Sequence, residues 1–296
     1  MEIKEFNLNV PWGVIAVKAW GNSDDKPVLA VHGRQDNAGS YDRLIPLLPK
    51  CFYYVCIDLP GHGKSSHYPI GMIPDFYDLL HSVKRVVDML EWNEFIFMGH
   101  SLAARLGLHF AAIYPEQISK LIMLDAIDSE NIPPDMYKYW FKIHHQEFMR
   151  VENLIMYGTP PKYTYEQLVD LYKRNRGLSE KAVHPLLKRA IVQNSDGTLN
   201  LGMDQRIKQL QWPAMDNNYR MKALVHKKAF PHLMIFASES VDAGLKKQHA
   251  RLLNALRKNK LFEEHVVKGN HDVHNDNPTA VAPIIEKFLL RLNHRL

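Results

Sequence analysis

The chain has 296 residues, with 46% apolar and 23% charged side chains, a formal net charge of +5 and a pI near 9.0. That composition suits one large soluble α/β domain, or such a core carrying an insertion, and it can bury a sizeable core without staples. Basic residues are scattered or gathered in modest clusters such as Lys246-Lys247, and no recognised binding motif accompanies them, so no nucleic-acid partner is expected. Taken in chain order, Val28–Val31 and Phe52–Ile57 are compact strand candidates, each ended by turn residues, with a short helical stretch at Leu44–Leu48 between them. Residues 72–90 follow, with apolar side chains at Phe76, Leu79, Leu80, Val83, Val86, Val87 and Leu90, a helical spacing with one apolar face. Phe95–Met98 is a buried strand, Leu102–Tyr114 a helix closed by Pro115, and Leu121–Leu124 the next strand. From Asn131 to Lys228 the chain is helical and irregular, punctuated by Pro133-Pro134, Pro160-Pro161 and Asn194–Gly197, with no convincing strand. Strands resume at Leu233–Phe236 and Phe262–Val267, and an amphipathic helix from Thr279 to Leu292 closes the chain. Alternation of strand and helix implies a mostly parallel sheet with helices on both faces. The expected organisation is a core of residues 1–128 and 229–296 interrupted by a helical cap at 129–228.

The N-terminal residues carry charge and no apolar run, and no stretch of eighteen apolar residues occurs, so neither a secretory signal nor a membrane span is expected. Cys51 and Cys56 stand five apart on one extended segment, which points them to opposite faces, and no zinc-type spacing exists. Cytoplasm is the expected compartment. The C-terminal His294-Arg295-Leu296 resembles a peroxisomal address only faintly, since His294 is not a small residue.

The chemistry gathers at Gly99-His100-Ser101-Leu102-Ala103, between an apolar strand and a helix. A serine hydroxyl is a poor nucleophile until a base takes its proton. A sharp strand-to-helix turn with small residues two before and two after the serine presents that hydroxyl, and here those residues are Gly99 and Ala103. A bare motif of this kind is weak; its placement is what singles out Ser101 as nucleophile rather than as a helix cap. The N–H of Leu102, at a helix N-terminus, is suited to a developing oxyanion, and the N–H of Arg34 is the expected second donor, with Gln35 the alternative. The base must follow near the C-terminus, where Gly269-Asn270-His271-Asp272-Val273-His274 makes His271 the candidate and His274 a packing neighbour.

Together His32-Gly33, residues 58–66 (DLPGHGKSS), the Ser101 turn and the segment at His271 resemble the α/β-hydrolase superfamily. Within it, Val10–Gly13, Lys18–Gly21, Asp36–Pro49 and Phe52–Val55 resemble the serine hydrolase-like (kraken-type) proteins. The resemblance implies an α/β-hydrolase fold and a cofactor-independent hydrolase with no metal. Two departures stand out: the turn ends in Ala103 where Gly is usual, and Ser240 stands where many relatives place the acid after the seventh strand. In some dehalogenase-like relatives a carboxylate after the preceding strand serves the histidine, which makes Asp125 the preferred acid here, with Glu239 and Asp242 as alternatives. Aromatic and Met residues crowd the first part of the cap; Trp140 and Phe141 are the expected lining of an apolar substrate pocket, although such residues also serve as a cap's own core. The expected activity is hydrolysis of a small, apolar carboxylic ester or thioester. The alternative is a non-catalytic ligand-binding protein on the same scaffold.

Overall fold

A computed structural model describes residues 1–128, 134–211, 222–224 and 230–291. Ten strands are described: β1 (Ile3–Val10), β2 (Gly13–Trp20), β3 (Lys26–Val31), β4 (Phe52–Ile57), β5 (Phe95–His100), β6 (Ile118–Leu124), β7 (Ile191–Gln193), β8 (Leu199–Leu201), β9 (His232–Ala237) and β10 (Phe262–Val267). Eight of them form one sheet in the order β1-β2-β4-β3-β5-β6-β9-β10. From β4 to β10 every neighbour is parallel. β4, β5, β6 and β9 are buried along their whole length, which is why they read as unbroken apolar runs rather than alternating ones.

Helices α1 (Phe76–Met89) and α2 (Leu102–Ile113) pack on one face of the sheet, and α10 (Pro278–Leu290) on the other. Strand β3 shows how the two cores divide: Leu29 and Val31 enter the first, Val28 and Ala30 the second. α1 begins at Phe76 rather than at Met72, because Pro74 disfavours helical backbone before it and Asp75 caps the first turn by accepting from the Tyr77 N–H.

Two features go beyond the sequence reading. An antiparallel hairpin, β1–β2, precedes the first expected strand and extends the sheet along β4. β1 is largely exposed, and only Phe6, Leu8 and Val10 alternate toward the core, so no apolar run marks it. The second is a correction: the segment between β6 and β9 is not free of strands. β7 and β8 pair as a hairpin across Asn194–Gly197, with Gly197 at φ 81° in the turn. Three-residue strands of this kind carry too few side chains to show a period.

That same segment also contains α3 (Pro134–Tyr157), α4 (Tyr165–Arg176) and α5 (Glu180–Ala190). α4 and α5 share a small core of their own around Leu168, Ala182, Val183, Leu186 and Leu187. Short helices α6 (Ser238–Asp242), α7 (Leu245–Gln248) and α8 (Ala250–Leu256) follow β9, and α9 (Val273–Asp276) follows β10. No described helix is long and apolar enough to cross a membrane. Cys51 is exposed and Cys56 buried, and both are free thiols. His294-Arg295-Leu296 lies outside the described residues.

Candidate active site

Strand order reverses direction between β4-β3 and β5-β6, so the carboxyl ends of β3 and β5 lie side by side at the position where open α/β sheets bind ligands. Val31 pairs with Gly99, which sets the loop after β3 beside Ser101. Ser101 has φ 52° and ψ −114°, a costly backbone for a residue with a Cβ. The turn is held by the Ser101 N–H donating to the Leu124 carbonyl at 2.9 Å. Gly99 is required there: a Cβ on it would sit 2.3 Å from the Ala103 carbonyl oxygen. The Ala103 methyl is fully buried, and the turn keeps its shape around it.

The turn aims the Ser101 hydroxyl at His271, whose Nε2 lies 2.9 Å from Oγ. On the other edge of the ring, His271 Nδ1 lies 2.7 Å from Asp125 Oδ2. A carboxylate can only accept, so Nδ1 carries the proton and the Nε2 lone pair faces the serine. Asp125 closes β6 at φ 52° and its side chain is fully buried. It also accepts from the Ala237 N–H at 2.7 Å and the Ser240 hydroxyl at 2.5 Å. Three donors around one carboxylate offset the cost of taking it out of water. Ser240, standing where an acid is usual, thus serves as a donor to Asp125. Glu239 and Asp242 are exposed on α6, and neither bonds to His271 among the described residues.

Beneath His271 sit two buried imidazoles. His100 donates from Nε2 to the His271 carbonyl at 2.9 Å, and His274 stacks on His100 at 4.1 Å between ring centroids. Burial, aided by the neighbouring His271, pulls the His100 pKa down to about 4, and burial holds His274 well below its ordinary value. Both are therefore neutral packing and tethering groups at pH 7. With Asp36 they bring one donor atom each within 4.8 Å, the distance range of a possible metal set. The fit is poor, because Asp36 is already committed to the Arg176 guanidinium, whose charge opposes a cation.

The loop after β3 is braced from the loop after β4, which gives residues 58–66 a structural purpose. His32 accepts the Leu59 N–H at 3.0 Å, and His62 accepts the Gln35 N–H at 3.2 Å. Burial lowers their pKa values to about 4 and about 3, keeping the accepting nitrogens unprotonated. Gln35 has its N–H committed to His62, whereas the Arg34 and Leu102 N–H groups have no partner among the described residues. Asp58, fully buried, accepts the N–H groups of Ala38 and Lys64.

Sequence reasoning did not find two arginines of the inserted segment. Arg176, at the end of α4, bonds both Asp36 at 3.3 Å and Asp272, the neighbour of His271. Those two carboxylates raise its pKa against the opposing effect of burial. Arg189 of α5 pairs with Asp58 at 2.7 Å. Each arginine fastens the insertion to a loop beside Ser101, and only their partners in space, not their sequence neighbours, mark them. Trp140 and Phe141 lie on α3. Trp140 stacks on His144 at 4.1 Å, and Phe141 is half exposed beside Tyr137 and His145. A cavity that adjoins the β3 loop is lined by Gln35, Asn37 and residues of α4 and the β8 exit.

Comparisons with known proteins agree with this architecture. Residues 26–278 match the family model described as alpha/beta hydrolase fold. Human serine hydrolase-like protein 2 is 36% identical over 97% of this chain and 94% of its own length. The crystal structure of a hypothetical protein from Pseudomonas aeruginosa PAO1 superposes with a TM-score of 0.84 at 26% identity, covering 98% of this chain and 100% of that one. A thioesterase domain from the curacin biosynthetic pathway, 20% identical over 96% of this chain and 99% of its own, shares the fold with a TM-score of 0.73. Sheet order, strand-to-helix turn, family match and full-length relatives converge: the chain belongs to the α/β-hydrolase fold family and resembles its serine hydrolase-like members.

Proposed function

We propose that this chain hydrolyses carboxylic esters, thioesters among them, through an acyl-enzyme on Ser101. The observation that carries the reading is the chain of contacts from Ser101 Oγ to His271 Nε2 at 2.9 Å and from His271 Nδ1 to Asp125 Oδ2 at 2.7 Å. His271 takes the hydroxyl proton as Oγ bonds to the carbonyl carbon, and Asp125 stabilises the imidazolium that forms. The carbonyl oxygen becomes an oxyanion between the N–H groups of Leu102 and Arg34, where one donor is worth about 3 kcal/mol in the transition state. As the intermediate collapses, the bond to the alcohol or thiol breaks and His271 returns the proton to that leaving group. A water then enters, gives its proton to His271 and attacks the acyl carbon, releasing the acid and the Ser101 hydroxyl.

Arg176 and Arg189 are positioning residues in this scheme. Arg176 ties α4 to the loops that carry the Arg34 N–H and His271, and Arg189 ties α5 to Asp58 in the loop that braces the first of these. The domain division is part of the same proposal: residues 1–128 and 229–296 supply the chemistry, and residues 129–228 act as a cap over it.

Hydrolysis of p-nitrophenyl butyrate by wild type and Ser101→Ala tests the reading. We expect the variant to lose at least about 10³-fold in kcat/KM. A folded Ser101→Ala protein with an undiminished rate would overturn it.

A further inference from the structure

A cavity of about 170 Å³ lies between the loop after β3, helix α4 and the exit of β8. It has the volume of roughly five or six waters, which suits a group of a few heavy atoms rather than a long acyl tail. Two connections tie it to Ser101 and His271. Gly33 packs so closely on Ser101 that a Cβ there would come within 3.1 Å of the serine Cβ, and Gln35, two residues on, lines the cavity. Arg176 also lines it and bonds to Asp272, the neighbour of His271. Gln35 itself is strained: its φ is 61°, and its N–H is fixed by His62 at 3.2 Å. Such strain in a residue with a Cβ persists only where the surroundings impose it, and it gathers at ligand clamps.

The charges of the wall are balanced. Asp36 is held by Arg176, which Asp272 shares. Lys208 stands near Glu147 of α3, whose carboxyl is held below its usual range by a hydrogen bond from Arg150 and by the charges of Arg150 and Lys208. Each charged lining residue thus has an opposite charge near it. What the wall offers instead is neutral hydrogen-bonding groups. Leu171, Tyr172, Asn175 and Arg176 recur three and four apart, so one face of α4 supplies them all. The Tyr172 hydroxyl and the carboxamides of Gln35 and Asn175 have no hydrogen-bond partner among the described residues. Burial pushes the Tyr172 pKa up to about 12, so the hydroxyl keeps its proton and can both donate and accept. A carboxamide does the same through its N–H and carbonyl groups. Leu171 and Leu201 add apolar wall.

We propose that this cavity takes an uncharged, hydroxyl-bearing end of the substrate, so that the preferred ester carries an alcohol group a few bonds from the scissile carbonyl. Gln35, Tyr172 and Asn175 hydrogen-bond to that hydroxyl, and Leu171 and Leu201 cover the carbons that bear it. A hydrocarbon in the same place would displace water from those three groups and leave them without partners, and that difference is the source of the selectivity. The proposal rests on the ester-hydrolase reading of Ser101.

Two matched substrate pairs test it and tell on which side of the ester the hydroxyl lies. One pair is p-nitrophenyl butyrate against p-nitrophenyl 3-hydroxybutyrate, with the hydroxyl on the acyl side. The other is propyl butyrate against monobutyrin, with the hydroxyls on the alcohol side. Each kcat/KM is divided by the rate constant of the same ester with hydroxide, which removes intrinsic reactivity. Wild type should prefer the hydroxylated member of at least one pair about tenfold or more. Tyr172→Phe, which removes a single oxygen, and Asn175→Leu should each lower that ratio about three- to tenfold. Raising sodium chloride from 0.05 to 0.5 M should leave the ratio within about twofold, since salt screens charges and not neutral hydrogen bonds; a ratio that collapses in salt would overturn the neutral site. If both ratios stay near one in wild type, or if neither variant lowers them, while Ser101-dependent hydrolysis of the plain esters persists, the hydroxyl site is refuted and the hydrolase reading stands. If no ester is hydrolysed and Ser101→Ala equals wild type, the hydrolase reading fails and the hydroxyl site with it.

Discussion

The sheet and the segment inserted between β6 and β9 are held by different forces. Strands β4, β5, β6 and β9 are buried end to end, and their apolar side chains fill two continuous cores. α4 and α5 own only a small cluster around Leu168 and Leu186, and they attach to the sheet domain through polar contacts. Arg176 grips Asp36 and Asp272, Arg189 grips Asp58, and the Asn37 and Asn275 side chains donate to the carbonyls of Leu186 and Ala182. Hydrophobic burial is non-directional and tolerates small changes, whereas a buried ion pair fails when one partner is removed. On the proposed reading, a site at the junction has the sheet as its floor and the inserted segment as a roof fastened at a few points.

The largest effect should come from the floor. Asp125→Asn keeps the shape of the carboxylate but lets an amide face His271 Nδ1, and kcat on p-nitrophenyl butyrate should fall about 10²- to 10⁴-fold. Glu239→Gln, exposed on α6, should stay within about twofold. A near-wild-type rate in Asp125→Asn would remove Asp125 from the mechanism.

The roof comes next. Arg176→Met leaves Asp36 and Asp272 buried without their cation. The expected cost is about 3 kcal/mol, since the arginine keeps some contact with water, or roughly 6–10 °C in Tm. Thermal unfolding measures it, and the activity of the folded fraction should fall as well, because both carboxylates sit beside site loops. An unchanged Tm would show that the insertion is held by something other than this clamp.

Acid should act on the floor more gradually. His32, His62 and His100 are held neutral with pKa values of about 4, 3 and 4. In the unfolded chain each returns toward about 6.5 and binds a proton first. Between pH 6.5 and 4 the unfolded state thus binds more protons, so stability is full above pH 6.5 and declines as the pH falls through that window. Denaturant unfolding at pH 7, 5.5 and 4.5 should show a falling midpoint; a flat profile would contradict the neutral assignment.

Much of the floor is legible in the sequence because its signals are local. β5, the Ser101 turn and α2 occupy one short stretch, and the small residues at 99 and 103 stand where that turn needs them. His271 follows from chain order. Asp125 could be ranked above Glu239 and Asp242, but the reason it fits lies across the sheet: the Ser240 hydroxyl and the Ala237 N–H converge on it from β9 and α6. The roof is poorly legible for the same reason. Arg176 is 140 residues from Asp36 and 96 from Asp272, and nothing near it in sequence marks it as a clamp. The β7–β8 hairpin is too short to show a period, and β1 is too exposed to show a run.

The central claim is that Ser101 is an activated nucleophile. Labelling with a fluorophosphonate, followed by peptide mass spectrometry, tests it most directly. One equivalent should add to wild type, on the peptide bearing Ser101, and none to Ser101→Ala. A folded wild-type protein that stays unlabelled, or a label carried by a different serine, would contradict the account.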